Sequence, residues 1–442
     1  MDFKDLLLTP IYLPFIFLVA LMFRRRLCDK HTKAYFMPAL TLKIVGAISL
    51  GIIYQFYYNG GDTYNFFNDS KVIWEAFTNS PLTALRIVLA DGEYHYDLYE
   101  YTRRIYFYVD SYSFHVIRLA GFFGFFTFHT YSLIAVFFAI ASFTGVWAMY
   151  KVFYHLYPHL HKKMAIAVFF IPSVFFWGSG LMKDTITLGA MGWAFYGFYF
   201  GLISRKNIIS NILILVVSLL IIKAIKVYIL LCFLPAAFFW VFLEYRAKIK
   251  SRALQFLALP FTIVASVPLG YLAIEKVTED NARYQLENIA TTTQVTAEWL
   301  TQMGTLQKGS VYSLGEFDGT FTSMLSKFPQ AVVVTLYRPF IWEVRNPVML
   351  LSALEALFFL YLTIQMFRNF KIKVLFKMLN DQPVLLFCFV FSVTFAFAVG
   401  ISSYNFGTLV RYKIPMMPFF LAALYIIQSQ AVKKSKKLQQ FA

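Results

Sequence analysis

The chain alternates long apolar runs with short polar stretches. A helix needs about 20 mostly apolar residues to cross the roughly 30 Å hydrocarbon layer of a bilayer. About eleven runs are of this kind, at approximately 6–23, 35–57, 129–153, 164–181, 185–203, 208–222, 227–243, 253–274, 347–367, 383–401 and 416–432. Only Lys223 to Lys226 separates 208–222 from 227–243, which fits either a tight hairpin or one bent element. Residues 112–128 are apolar around a single Arg118, the pattern of an interfacial helix. The predicted fold is an all-α integral membrane protein of about 11 transmembrane helices, a single polytopic membrane domain over 1–442. Two long loops, about 58–112 and 275–346, carry amphipathic helical patches such as Tyr64 to Phe77, Asp97 to Val109 and Glu279 to Trp299, and a basic tail occupies 433–442.

Composition agrees with this pattern. Apolar residues make up 59% and charged residues only 14% of the 442, against about 45–50% and about 25% in soluble domains. Disordered, collagenous and disulfide-rich secreted classes are excluded. Cys28, Cys232 and Cys388 lie far apart, so they build neither a disulfide framework nor a thiolate metal site.

Charge sets the expected orientation. The basic cluster Arg24-Arg25-Arg26 follows the first apolar run, whose leading end is acidic and lacks a small-residue cleavage site, so a cleaved signal peptide is not expected. The positive-inside rule then puts the N-terminus outside and residues 24–33 in the cytoplasm. Threading onward places 24–33, 151–163, 204–207, 244–252, 368–377 and 433–437 on the cytoplasmic side, with 22 of the 40 basic residues and three of the 23 acids in or beside them. That segregation accounts for most of the formal charge of +17 without nucleic acid. The expected location is the cell inner (cytoplasmic) membrane, multi-pass, with the C-terminus cytoplasmic. Both long loops then face outward, and loops of this length are uncommon unless functional or disordered. Chemistry is expected on the outer face.

Five clusters fall there. The first is Tyr57-Tyr58-Asn59-Gly60-Gly61-Asp62-Thr63-Tyr64. The glycines permit a sharp exit from the bilayer, and Asp62 at the bundle mouth fits a general base or a plain helix N-cap. Asp69, about two helical turns on, is a possible second acid. The second cluster is Pro172 to Thr185, where Gly178 and Gly180 precede Lys183 and Asp184. A lysine beside a glycine-rich helix end suits a phosphate, although interfacial snorkelling also explains it, and Asp184 is another possible second acid. The third holds Lys223, Lys226 and Tyr228, suited to an anionic headgroup or to a simple hairpin. The fourth runs Tyr337-Arg338-Pro339-Phe340-Ile341-Trp342-Glu343-Val344-Arg345-Asn346-Pro347. Arg338 offers bidentate donors to phosphate, and Trp342 a flat face for a sugar or for the interfacial aromatic belt. The fifth is Arg411-Tyr412-Lys413-Ile414-Pro415, again cationic on the outer side. Glu355 lies about two turns inside the following span, where a carboxylate normally has a partner or a function.

Two of these stretches carry a resemblance. The acidic residue in the first outer loop, within Gly60-Gly61-Asp62-Thr63-Tyr64, and the pattern Arg411-Tyr412-Lys413-Ile414-Pro415…Pro418 resemble polytopic membrane glycosyltransferases of the GT-C type. Residues 172–184 look like bacterial membrane proteins of polysaccharide assembly, and the polymerases of surface polysaccharides are a close neighbour. The resemblance implies transfer of a sugar from a polyprenyl-phosphate or polyprenyl-diphosphate donor to a glycan or lipid acceptor on the outer face. It implies Asp62 as base, or as the group that positions the acceptor hydroxyl. Lys183, Lys226, Tyr228, Arg338, Trp342, Glu343, Arg411, Tyr412 and Lys413 are the expected contacts to substrate and lipid phosphate. No cofactor is required; a divalent metal is compatible with the chemistry but no ligand spacing indicates one. The alternatives are an oligosaccharide polymerase or ligase of the same pathway, and a lipid or polysaccharide flippase. Membrane lipids are the other expected partners, and nucleic acid is not one.

Overall fold

The computed structural model describes residues 2–246, 248–249, 251, 275–278, 282–285, 287–306, 310–315 and 318–440. The expected span 253–274 and part of the second long loop lie outside the described residues. Every regular element described is helical, and the one β-bridge, Val311 to Asn405, is isolated. Among the described residues, eight helices are long and apolar enough to cross a membrane. A ninth is reached if Phe406–Tyr412 and Met417–Ala431, bent by 69° to each other, count as one span. The architecture is that of an all-α, membrane-embedded protein.

The chain divides into two compact units, Met1–Gly197 with Ser210–Lys226, and Phe198–Ile209 with Val227–Ala442. In the first unit the helices are α1 (Phe3–Leu27), α2 (Lys33–Phe56), α3 (Asp62–Asn79), α4 (Pro81–Leu89), α5 (Tyr99–Thr102), α6 (Ser111–Thr127), α7 (Tyr131–Leu156), α8 (His161–Phe169), α9 (Pro172–Trp177), α10 (Lys183–Gly197) and most of α11 (Ile208–Ile225).

The buried α7 is the axis of this unit. It crosses α10 at glycines: a Cβ on Gly145 would lie 1.8 Å from the Gly189 carbonyl oxygen, and one on Gly192 would lie 2.0 Å from that of Gly145. Only backbone fits there, which is how membrane helices approach closely without a hydrophobic driving force.

Side-chain contacts assign helix ends to the two ends of the unit. Asp5 Oδ1 accepts from Ser132 N at 2.7 Å, and the Tyr64 hydroxyl reaches Gln55 at 3.0 Å while its ring stacks on Tyr131 at 4.5 Å. The start of α1, the end of α2, the start of α3 and the start of α7 therefore share one end. At the other end Lys151 Nζ reaches Leu27 O at 3.4 Å, and Tyr35 O–H meets His161 Nδ1 at 2.8 Å. The threading of these three spans agrees with the pattern expected from the sequence.

Residues 164–181 are not one helix. They are divided between α8 and α9, with the chain leaving helix at Phe170 and Ile171. Pro172 has no N–H to continue the α8 ladder and is well tolerated as the first residue of α9. α9 ends after Trp177, and the chain is non-helical until Lys183. Lys43, buried in α2, fills this break: its ammonium donates to the Gly178 carbonyl and to Ser142 Oγ at 3.0 Å.

The first long loop is largely helical. Tyr64 to Phe77 lies within α3, whereas in Asp97 to Val109 only α5 is helical. These elements pack with α6 on Phe66, Ile73, Ile87, Ile105, Tyr108, Phe114 and Ile117. The helix expected at 112–128 is α6.

In the second unit the helices are α12 (Val227–Arg246), α13 (Ile289–Leu306), α14 (Phe321–Ser326), α15 (Phe328–Tyr337), α16 (Pro347–Asn369), α17 (Ile372–Asp381), α18 (Pro383–Ser403), α19 (Phe406–Tyr412) and α20 (Met417–Gln440). A π-turn segment, Phe198–Ile203, also belongs here. The core is aromatic: Phe387 packs on Phe198 at 6.0 Å, Phe233 at 5.5 Å, Trp240 at 5.6 Å and Phe419 at 5.6 Å. Residues Ile414 to Ile427 are buried almost throughout, so the last helix is the centre of this unit.

Candidate functional site

Each unit carries a cluster of charged side chains, built from residues far apart in the sequence. In the first unit Gly60 and Gly61 take φ of +123° and +118°, a region that disfavours any side chain. This turn closes the five-residue link between the end of α2 at Phe56 and the start of α3 at Asp62. Gly61 occupies the N-cap position and no side chain caps this end; Asp62 is the first helical residue and is half-buried. The Thr63 hydroxyl pairs instead with Tyr131 O–H at 2.7 Å. Asp62 is therefore not the N-cap.

Lys183 begins α10, and its Nζ stands 3.5 Å from Asp110 Oδ2 at the start of α6. Asp62 and Lys226 also lie close enough to act electrostatically on Lys183. Lys226 Nζ lies 2.5 Å from Asp184 Oδ1, with side chains 8% and 2% exposed. That pair is shielded and electrically neutral, whereas the Lys183 side chain is 24% exposed. Asp62, Asp110, Lys183, Asp184 and Lys226 thus form one group at the end of the unit where α2 leaves and α3 enters. Chemically, it combines a half-buried carboxylate with a partly exposed ammonium that Asp110 holds loosely, at 3.5 Å.

Asp69 faces elsewhere. Its two oxygens accept Tyr106 N and Phe107 N, each at 3.0 Å, and so tie the loop before α6 to α3. Burial pushes its carboxyl up, and the two N–H groups pull against that shift.

In the second unit Arg338 follows α15 and grips Glu343, its Nε lying 3.1 and 3.0 Å from the two carboxylate oxygens. Phe340 N also donates to Glu343, at 2.7 Å. Burial pushes the Glu343 carboxyl up, but the Arg338 guanidinium and the Phe340 N–H outweigh it and hold the group below the usual carboxylate range. The guanidinium lies 5.2 Å from the Phe406 ring centroid and 6.0 Å from that of Tyr312. Lys413, 1% exposed, donates to Thr335 O at 3.0 Å and sits 3.5 Å from Arg338 O, with Glu355 in electrostatic range. Lys413 therefore anchors the end of α15 and reaches no solvent.

The remaining expected contacts are more dispersed within this unit. Trp342 is 81% exposed and stacks on Phe340 at 4.8 Å. Tyr228 lies in the first turn of α12 with its ring 5.7 Å from Phe395. The Arg411 guanidinium lies 5.1 Å from the Tyr412 ring.

Asp110, Tyr312 and Thr335 were not singled out from the sequence. Asp110 had a signal, a capping-type residue directly before an apolar run. Tyr312 had none, because it comes to Arg338 only through the bridge between Val311 and Asn405. Among the described residues no group of three or more His, Cys, Asp or Glu side chains is arranged to hold a metal ion. No family model matches this chain, and neither a curated protein nor a solved structure matches it.

Proposed function

We propose that this protein is a membrane glycosyltransferase that moves a sugar from a polyprenyl-phosphate or polyprenyl-diphosphate donor to an acceptor hydroxyl on the outer face, in surface-polysaccharide or glycolipid assembly. The observation that carries this reading is the group around Lys183: a half-buried Asp62 on a two-glycine turn, within electrostatic range of a partly exposed ammonium. In the proposed reaction Asp62 accepts the proton of the acceptor hydroxyl as the oxygen forms its bond to the anomeric carbon. The bond from that carbon to the donor phosphate breaks, and the phosphate leaves with its electron pair, stabilised by Lys183. A positioned base contributes about 10²–10⁴ in rate, and preorganised cations at a developing phosphate charge contribute at least as much. Lipid phosphate is a competent leaving group, so this route needs no protein acid.

A second reading is a lipid or polysaccharide flippase. It is favoured by the discontinuous passage α8–α9 and by the buried Lys43 that fills the non-helical stretch after α9, since transporters place broken helices and intramembrane charges along their pathways.

Mass spectrometry of surface glycans and lipid-linked intermediates, from cells with and without the protein, separates the two. Glycosyl transfer predicts loss of a sugar from the finished glycan and accumulation of its lipid-linked donor. A flippase predicts the same donor accumulating on the cytoplasmic leaflet alone. Unchanged glycans and unchanged lipid intermediates would remove both.

A further inference from the structure

The end of α16 and the short α17 carry a feature that the transferase reading does not use and that is independent of it. A cleft of about 290 Å³ is lined by Tyr361, Ile364, Gln365, Arg368 and Asn369. These positions are spaced 3, 1, 3 and 1 apart, so they form one face of α16. The face changes character along its length. Tyr361 and Ile364, 58% and 50% exposed, form the apolar end, and Arg368 and Asn369 form the polar end about 12 Å further along the axis. Gln365 between them is fixed from behind, its Oε1 accepting from Gln428 Nε2 of α20 at 2.5 Å.

The chain then enters α17, whose sequence IKVLFKMLND is amphipathic. Ile372, Leu375, Phe376 and Leu379 share one face, and Lys373 and Lys377 the opposite one. Leu375 is buried against the unit, whereas Ile372 and Phe376 are 59% and 66% exposed. An exposed apolar edge beside lysines is the signature of a helix lying in the headgroup region. From Arg368 to Asp381 there are four cations, Arg368, Lys371, Lys373 and Lys377, against the single acid Asp381. A charge excess of this kind is complementary to an anionic membrane surface.

We infer that the Tyr361–Asn369 cleft together with α17 is a binding site for an anionic phospholipid, with the headgroup phosphate at Arg368 and Lys371 and an acyl chain along Tyr361 and Ile364. The order of polarity along the cleft matches that of a lipid molecule, from chain to glycerol to phosphate. Ordinary retention of positive charge at one membrane face explains the lysines. It explains neither the cleft on this face of α16 nor the apolar side chains left exposed on both helices.

The test is native mass spectrometry of the full-length protein in neutral detergent, titrated with dioleoyl phosphatidylglycerol and, separately, dioleoyl phosphatidylcholine. The site predicts a first phosphatidylglycerol adduct at a concentration at least about ten-fold lower than the phosphatidylcholine adduct, since each cation near an anionic surface contributes about a factor of five. Arg368→Ala with Lys371→Ala should weaken that adduct by about thirty-fold on the same scale. Tyr361→Ser should weaken both lipids, because it shortens the apolar wall. Substituting Arg24, Arg25 and Arg26 by Gln, at another cationic helix end, should leave the adduct unchanged. Equal binding of the two lipids, an unaffected Arg368→Ala/Lys371→Ala protein, or an equal loss in the Arg24 to Arg26 variant would overturn the proposal. Displacement of phosphatidylglycerol by millimolar inorganic phosphate would also overturn it, since the cleft would then be a site for free anions.

Discussion

Gly60 and Gly61 hold backbone angles that leave the start of α3 without a side-chain cap, and this decides how substitutions at Asp62 should behave. An N-cap aspartate replaced by alanine costs about 0.5–2 kcal/mol, but that mechanism does not operate here. Asp62→Asn and Asp62→Ala should both unfold within a degree or two of the wild type, by about the small change expected of first-turn charge near a helix dipole. The buried pair Lys226–Asp184 behaves in the opposite way. Lys226→Met leaves a carboxylate buried without its cation and should cost about 3–5 kcal/mol, whereas Lys226→Met with Asp184→Leu should recover most of that loss. Detergent-solubilised thermal unfolding measures all four. His129, between α6 and α7, stacks on Phe67 at 4.3 Å and pairs with Ser70 Oγ at 3.1 Å. Burial lowers its pKa from 6.5 to about 4. The folded state therefore holds it neutral while the unfolded chain takes up a proton. Stability is full above pH 6.5 and falls as pH drops from 6.5 to about 4, by at most about 3 kcal/mol. A pH series of thermal unfolding should show this loss, and His129→Gln should flatten it.

At the scale of elements, what could be read in advance depended on whether the controlling residue lay within the run it controls. Helices such as α1, α2, α7 and α18 were legible because their apolar residues are contiguous. The break between α8 and α9 had a local signal in Pro172, and the unwinding after α9 had one in Gly178 and Gly180; what no local pattern showed is the lysine that satisfies Gly178, which comes from α2, 135 residues away. The ion pair of Lys183 with Asp110 spans 73 residues, so the pairing was not legible although each residue has a local signal. Asp69 looked like a candidate acid, but its oxygens are taken by Tyr106 and Phe107, residues no local pattern links to α3. The crossing of α7 and α10 supplies a prediction with a sign. Alanine in place of a solvent-facing helical glycine gains about 1 kcal/mol. At Gly145 the added Cβ meets the Gly189 carbonyl, and overpacking costs about 1–3 kcal/mol or more. Gly145→Ala should therefore lower the melting temperature, measured by size-exclusion of heated samples. An increase would mean the helices do not cross there.

For the whole molecule, the charge pattern and the contacts of the first unit make the same topological forecast. Contacts put residues 27–35 at one end with 151–161, and residues 54–64 at the other with 131–132. Reporters inserted after Cys28 and after Pro158 should read alike, and one after Tyr58 should read oppositely; the positive-inside rule adds that the first two are cytoplasmic. The central claim is the chemistry assigned to Asp62, and a reconstituted reaction tests it most directly. Purified wild-type and Asp62→Asn proteins in nanodiscs would be given a lipid extract containing the accumulated polyprenyl-linked donor, with acceptor, and released polyprenyl phosphate or diphosphate would be counted by mass spectrometry. The account predicts release by the wild type and a fall of about 10²-fold or more in Asp62→Asn, with the variant's melting temperature and donor binding unchanged. Equal release by the two proteins would contradict it.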